Sequence, residues 1–281
     1  MRILVTGSSG RIGAAVSARL WLQHRVTGLD LRPGPLTAVV GDICDARLLA
    51  KLCANADAVI HTASLHAPDL QLRSADEFRR VNVEGTRRLL AACGDAGIGR
   101  FVYTSTTSLY GGALVPVADH AVWVTETLQP QPRDVYDETK LLAEQACAAA
   151  AGRGMTCISL RMSRCFPEHP RLVAIYRLYR GVDAEDVAQA HALALQAPIA
   201  GFETFNISAR SPFTIADCNA LLADARSVVL AHHPWAQAEF ARRGWGLPES
   251  IDRVYVVDKA IAGLGYRPVH DFASLFQRPA P

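Results

Sequence analysis

Ile3 to Thr6 is a short apolar run closed by glycines, after which Ile12, Ala15, Val16 and Leu20 recur at helical spacing up to Trp21. The pattern predicts a strand, a tight turn and a helix. Val26 to Leu29 predicts a second strand ending at Asp30, Ala38 to Val40 a third ending near Asp42, and Ala58 to Ile60 a fourth ending at His61. A helix is expected between each later pair, with Leu48, Leu49 and Leu52 on one apolar face. Phe78, Val81, Thr86, Leu89 and Leu90 outline a longer helix, and Phe101 to Tyr103 a fifth strand. Tyr136 to Ala151 reads as a helix rich in good helix formers, and Cys157 to Leu160 as a sixth strand.

Strands alternating with helices imply an α/β fold, a doubly wound parallel sheet of Rossmann type covered on both faces. The alternation weakens after Arg161, where prolines from Pro167 to Pro268 punctuate the chain. Helices are still expected at Ala184 to Gln196 and near Ile215 to Ala225. Residues 1–161 are therefore expected to form a dinucleotide-binding core. Residues 162–281 should mainly form a smaller substrate-binding region capping the carboxyl ends of the strands, with some segments returning to the core.

Composition narrows the partners. Half of the residues are hydrophobic and 20% are charged, which suits a globular chain with a substantial core. The net charge of +2 and the scattered arginines give no footprint for nucleic acid. No stretch approaches the ~20 apolar residues that span a bilayer, and Gly7-Ser8-Ser9-Gly10 interrupts the opening run before a signal segment develops. The expectation is a soluble, unprocessed cytoplasmic protein without membrane contact. Its seven dispersed cysteines, odd in number and without a CxxC pair, read as reduced and mostly buried, with no metal site.

Gly7, Gly10 and Gly13 stand between the first strand and the first helix. Glycine there permits a tight turn and close backbone approach to a pyrophosphate, while the helix N-terminus, through Arg11 and Ile12, adds free N–H groups and a positive dipole end. Asp30, followed by Leu31, lies where a carboxylate can accept hydrogen bonds from an adenosine ribose, which favours NAD; nearby Arg32 leaves NADP open. Asp42-Ile43 either holds the adenine or, through Asp42, caps the next helix.

Tyr136 and Lys140 stand four residues apart on one helical face, where a cation favours a phenolate and so a general base. Tyr255 and Lys259 repeat the spacing, but with no hydroxyl-rich strand end ahead of them they read as structural. The hydroxyl cluster Thr104-Ser105-Thr106-Thr107-Ser108 precedes Tyr136 by one loop and can donate to a substrate oxygen as it gains charge.

On these motifs, with Val59-Ile60-His61-Thr62-Ala63-Ser64, Val81-Asn82-Val83-Glu84-Gly85-Thr86, Leu160-Arg161 and Leu264-Gly265-Tyr266-Arg267-Pro268, the chain resembles the extended short-chain dehydrogenase/reductases, the NAD-dependent epimerase/dehydratase superfamily. The resemblance implies Thr106, Tyr136 and Lys140 as catalytic, Thr62, Ala63, Ser64 and Thr104 along the cofactor, and Asn82 in the segment supporting it. It also implies a homodimer built on the Phe78–Leu90 and Tyr136–Ala151 helices. Only about twenty residues separate Arg161 from Val182, so the nucleotide anchor of nucleotide-sugar epimerases looks truncated. Arg161 to Pro167 is instead similar to compact uronate dehydrogenases, which implies that Arg164, Arg177 or Arg180 meets a substrate carboxylate. His66 and Ser105 are further candidates for substrate contact. The expected activity is hydride transfer between a nicotinamide and a hydroxyl-bearing carbon of a small sugar-like substrate. Epimerisation or dehydration through a transient ketone, and nucleotide sensing without chemistry, are the alternatives.

Overall fold

In the computed structural model, which describes residues 1–277, the alternation resolves into one large sheet and a smaller lobe. The first half of the chain contributes β1 (Arg2–Thr6), α1 (Arg11–Trp21), β2 (Arg25–Asp30), β3 (Val39–Val40), α2 (Ala46–Cys53) and β4 (Ala58–His61). Next come α3 (Ala75–Phe78), α4 (Thr86–Asp95), β5 (Arg100–Thr106), β6 (Val122–Val124), α5 (Val135–Ala151) and β7 (Thr156–Met162). The remainder supplies α6 (Pro170–Arg177), α7 (Ala184–Gln196), β8 (Phe202–Ile207), α8 (Cys218–His232), α9 (Ala236–Arg242), β9 (Arg253–Tyr255), α10 (Asp258–Leu264) and α11 (Ser274–Gln277).

Seven parallel strands lie in the order β3-β2-β1-β4-β5-β7-β8. The order reverses between β1 and β4, and it is outside such a switch point that open α/β sheets hold ligands. Val16 and Leu20 of α1, with Val187, Ala190 and Ala194 of α7 and Ala260 of α10, cover one face. Leu49 of α2, Leu89 and Leu90 of α4, and Ala143 and Cys147 of α5 cover the other. A separate apolar cluster joins α6, α8 and α9 through Leu178, Leu221, Val229, Phe240 and Phe272.

Four differences from the sequence pattern are informative. The sheet has a seventh strand, β8, in which Phe205 and Ile207 point inward while polar neighbours alternate with them. A loop rather than a helix joins β2 to β3. The helix around Phe78 to Leu90 contains a π-helical stretch, Arg79–Gly85, where buried Asn82 donates to the Leu65 carbonyl at 2.9 Å and the Thr139 hydroxyl at 3.1 Å. The helix expected near Ile215 starts as a 3₁₀ turn, and α8 then runs to His232 with a break at Asp224 (φ −152°, ψ 71°). Among the described residues no helix is long and apolar enough to cross a membrane, and no cluster of acidic, His or Cys side chains could hold a metal ion. All seven cysteines are free.

Candidate active site

A cleft of about 1010 Å³ runs along the carboxyl ends of the strands. At one end is the glycine turn. Gly7 has φ +75°, and a Cβ there would lie 2.6 Å from the Ala63 nitrogen, while a Cβ on Gly13 would lie 2.0 Å from the Gly7 carbonyl oxygen. These two glycines thus fold the backbone tightly onto itself. Gly10, Arg11, Ile12 and Gly13 line the cleft where α1 begins. No side chain caps that helix and no acid stands in its first turn, so its amides and positive dipole end face the space. This cradle fits a pyrophosphate.

Further along, Asp30, Leu31, Arg32, Asp42 and Ile43 line the same wall. Asp30 accepts the backbone N–H groups of Ser9 and Arg32, each at 3.0 Å, which fixes the carboxylate at the end of β2 with lone pairs left for a ribose. Asp42 is no helix cap: Asp45 caps α2, while Asp42 pairs with Arg80 at 2.9 Å and accepts the Cys44 N–H. Thr62, Ala63 and Ser64 also line the cleft. Asn82 does not; it accepts the Leu65 N–H at 2.8 Å and so shapes the loop after β4 from behind. His61, fully buried between the hydroxyls of Thr6 and Thr86, has its protonation pulled down to about 3 by burial and serves the core as a neutral ring.

At the centre of the cleft, β5 delivers Thr104, Ser105 and Thr106, and α5 delivers Tyr136 and Lys140. Asp134 caps α5 by accepting the Asp137 N–H, which sets Tyr136 in the first turn. The Thr104 hydroxyl is engaged by His191 at 2.7 Å, whereas the Ser105 hydroxyl is buried and without a partner among the described residues. Lys140 donates to the Thr104 carbonyl at 2.6 Å and lies 4.3 Å from the centre of the Tyr103 ring. Burial pulls its ammonium down to about 7.

The sequence pattern suggested that Lys140 would lower the phenol of Tyr136. The structure differs: burial pushes Tyr136 up to about 12, Asp137, Asp134 and Asp69 push the same way, and the opposing influence is a hydrogen bond from the Thr106 hydroxyl. Helical spacing places both side chains on one face, but desolvation outweighs a cation already bonded to a carbonyl.

Beyond the phenol, the cleft is lined by His66, Ser108, Leu114, Arg133, Met162, Arg164, Phe166, Arg180, Arg253 and Tyr255. His66 sits at the rim, its ring 6.1 Å from that of Phe166. Arg164 lines the cleft while paired with Glu168. Arg177 is the clear correction: it lies buried outside the cleft, bound to Asp183 at 2.8 Å and to the His270 carbonyl at 2.9 Å, and it ties α6 to α7 and the C-terminal segment. Arg133, Arg253 and Tyr255 also line the cleft, and no sequence motif marks them as site residues. Tyr255 enters because β9 pairs with β6, and its β-branched neighbours Val254, Val256 and Val257 were a strand signal. Lys259 is on α10, half exposed and 2.7 Å from Glu203, so the second Tyr-x-x-x-Lys spacing is split between a strand and a helix.

Known proteins resemble this chain in sequence and in fold. The chain is 37% identical over 175 residues to the 3-beta-hydroxysteroid dehydrogenase of Mycolicibacterium neoaurum, covering 58% of this chain and 47% of that protein. It is 29% identical to the dTDP-glucose 4,6-dehydratase of Streptomyces antibioticus, covering 97% of this chain and 89% of that one. The chain spans about half the length of several of the curated relatives it matches, the steroid dehydrogenase among them. A short-chain dehydrogenase/reductase superfamily protein from Agrobacterium tumefaciens, crystallised with NAD, superposes with a TM-score of 0.72 at 25% identity, over 99% of this chain and 95% of that one. MoeE5 in complex with UDP-glucose and NAD superposes equally well, with a TM-score of 0.72 at 25% identity, over 98% and 96% of the two chains. The pattern of one family matches residues 3–174. That stretch runs from the first strand past the helix bearing Tyr136 and Lys140, so it includes the glycine turn and that pair, and the chain belongs to the NAD dependent epimerase/dehydratase family.

Proposed function

We propose that this chain is an NAD-dependent oxidoreductase that oxidises or reduces a secondary hydroxyl carbon of a small, sugar-like substrate carrying an anionic group. The observation that carries the reading is the convergence of Thr106, Tyr136 and Lys140 in the cleft that also holds the glycine turn. Bound NAD supplies the hydride acceptor or donor. Tyr136 takes or returns the hydroxyl proton at its phenolic oxygen, and Thr106 donates a hydrogen bond to the same substrate oxygen. Lys140, held on the Thr104 carbonyl, offers its remaining ammonium protons to a ribose hydroxyl, and Ser105 is a spare donor. Residues 1–161 hold the cofactor, through Gly7 to Gly13, Asp30, Leu31, Asp42, Ile43, Thr62 to Ser64 and Thr104, and residues 162–281 mainly hold the substrate.

The anionic group is argued from Arg180. Arg133, Arg164 and Arg253 each face a carboxylate, whereas Arg180 has none among the described residues. Its guanidinium lies 4.3 Å from the ring centre of Tyr176, and its Nε is buried without a partner. A carboxylate matches that planar fork. Asp30 supports NAD over NADP, since it would repel a 2′-phosphate.

The test is a panel of sugar acids, neutral sugars and nucleotide sugars with NAD or NADP, read for reduced cofactor and product together. NADH accumulating with a sugar acid supports the reading. Isomerised product without net NADH would make the chain an epimerase, and binding without turnover a sensor. We further read the protein as a cytoplasmic homodimer joined through the Phe78–Leu90 and Tyr136–Ala151 segments, supported by family resemblance and by the dispersed, odd number of cysteines. Light scattering that finds only monomer at micromolar concentration refutes the dimer.

A further inference from the structure

Asp137 follows the reacting phenol in the chain and is completely buried. Its Oδ2 accepts the Arg133 backbone N–H at 3.3 Å and Nε at 3.2 Å, while its Oδ1 has no partner among the described residues. A second nitrogen of the same guanidinium donates to the Ser108 hydroxyl at 3.3 Å. Ser108 lies in the 3₁₀ turn after β5, and its N–H donates to the Thr106 hydroxyl at 3.1 Å. Arg133 thus joins the two elements that must meet a substrate oxygen together. Its side chain is half exposed and lines the cleft, whereas the carboxylate it neutralises is sealed from water.

We propose that Arg133 is a positioning residue: it braces the turn that follows Thr106 against the helix carrying Tyr136 and shields the phenol from the buried charge of Asp137. A buried carboxylate with one free oxygen is costly and acts over a long range. Arg133 supplies the opposite charge at contact distance, from the loop and not from the helix. Asp134, which caps α5, and Asp69 from the loop after β4 also raise the phenol. Thr106 from β5 adds an uncharged hydroxyl, and Lys140 is held on the Thr104 carbonyl. Asp137 is the foremost of the charges that raise the phenol. Arg133 is the cation bound to it. The inference rests on Tyr136 being the acid-base group, so its test must separate the two.

The experiment titrates, by fluorine NMR, the phenols of the NADH-bound protein labelled with 3,5-difluorotyrosine, whose phenol ionises well below that of tyrosine, subtracting a Tyr136→Phe counterpart in each background so that the other tyrosines cancel. Arg133→Leu should raise the midpoint by roughly one pH unit. Adding Asp137→Asn to Arg133→Leu should return it to the wild-type value or below, because the charge being shielded is gone. An unmoved midpoint in a folded Arg133→Leu protein, or a double variant that stays shifted, overturns the proposal. If Arg133→Leu does not fold, Asp137→Asn alone decides: the midpoint must fall, and no change overturns the proposal. Turnover of the plain Tyr136→Phe protein is read alongside. If it matches wild type, the acid-base reading fails whatever Arg133 does.

Discussion

Two segments of this chain have a tyrosine four residues before a lysine, and the fold treats them differently. Tyr136 and Lys140 lie in the first turns of α5 and both reach the cleft, because one helix carries both positions on one face. Tyr255 ends the short strand β9 and also reaches the cleft, but Lys259 belongs to α10 and points to the surface against Glu203. Equal spacing therefore guarantees a shared site only within one continuous element. Environment separates the lysines further: Lys140 is fully buried with a depressed ammonium, and Lys259 is solvated.

The largest expected contrast is in turnover on removal of each ammonium. Lys140→Met should lower both NAD affinity and kcat, the latter by at least about a hundredfold, since it removes a cation from the reacting group's surroundings. Lys259→Met should leave both near wild type. Equal losses in steady-state kinetics would erase the distinction.

Stability should divide the segments next. One turn beyond Lys140, Glu144 meets Arg161 at 2.7 Å with both side chains nearly inaccessible, and it also accepts the Ser159 hydroxyl. Glu144→Gln should destabilise by about 3–5 kcal/mol, because it leaves a buried guanidinium uncompensated. Glu203→Gln at the exposed partner of Lys259 should cost under about 1 kcal/mol. Denaturant melts of the two variants check this, and similar midpoints would contradict it.

A further contrast is a pH dependence. Lys140 has its pKa lowered to about 7 in the folded protein from 10.5. Below pH 7 it is charged in both states and its burial cost is fully present. As pH rises towards 10.5 the folded state has released the proton while the unfolded state still holds it, so stability increases by at most about 1.4 kcal/mol per pH unit. The stability of NAD-free wild type should therefore rise relative to Lys140→Met across this window. A falling difference for Lys140 would show that its ammonium is stabilised and not penalised by its surroundings.

The contrast also marks what the sequence could convey. Contiguous features were legible: the glycine turn, Asp30 at the end of β2, and the hydroxyl cluster at the end of β5 all lie where their spacing and the alternation of strand and helix put them. Each depends on local backbone geometry that a short run of neighbouring residues determines. Features set by tertiary pairing were not. β8 was obscured by flanking Pro198 and a polar alternation that a fully buried strand would lack. Tyr255 reached the cleft through the pairing of β9 with β6, over a hundred residues earlier. Arg177 had the charge for a substrate anion, but nothing local revealed that Asp183 and the His270 carbonyl would claim it. The raised phenol of Tyr136 is likewise a property of burial, which spacing does not encode.

The central claim is that Tyr136, and not the other cleft phenol, exchanges the proton. The most direct measurement is NADH formation by Tyr136→Phe and Tyr255→Phe, on the substrate identified by the panel, with NAD affinity measured on the same samples. Tyr136→Phe should keep NAD affinity, because the ring still packs, and lose about 10²- to 10⁴-fold in kcat. Tyr255→Phe should stay within a few-fold of wild-type kcat. A folded, NAD-binding Tyr255→Phe without turnover, beside a Tyr136→Phe near wild type, would contradict the account.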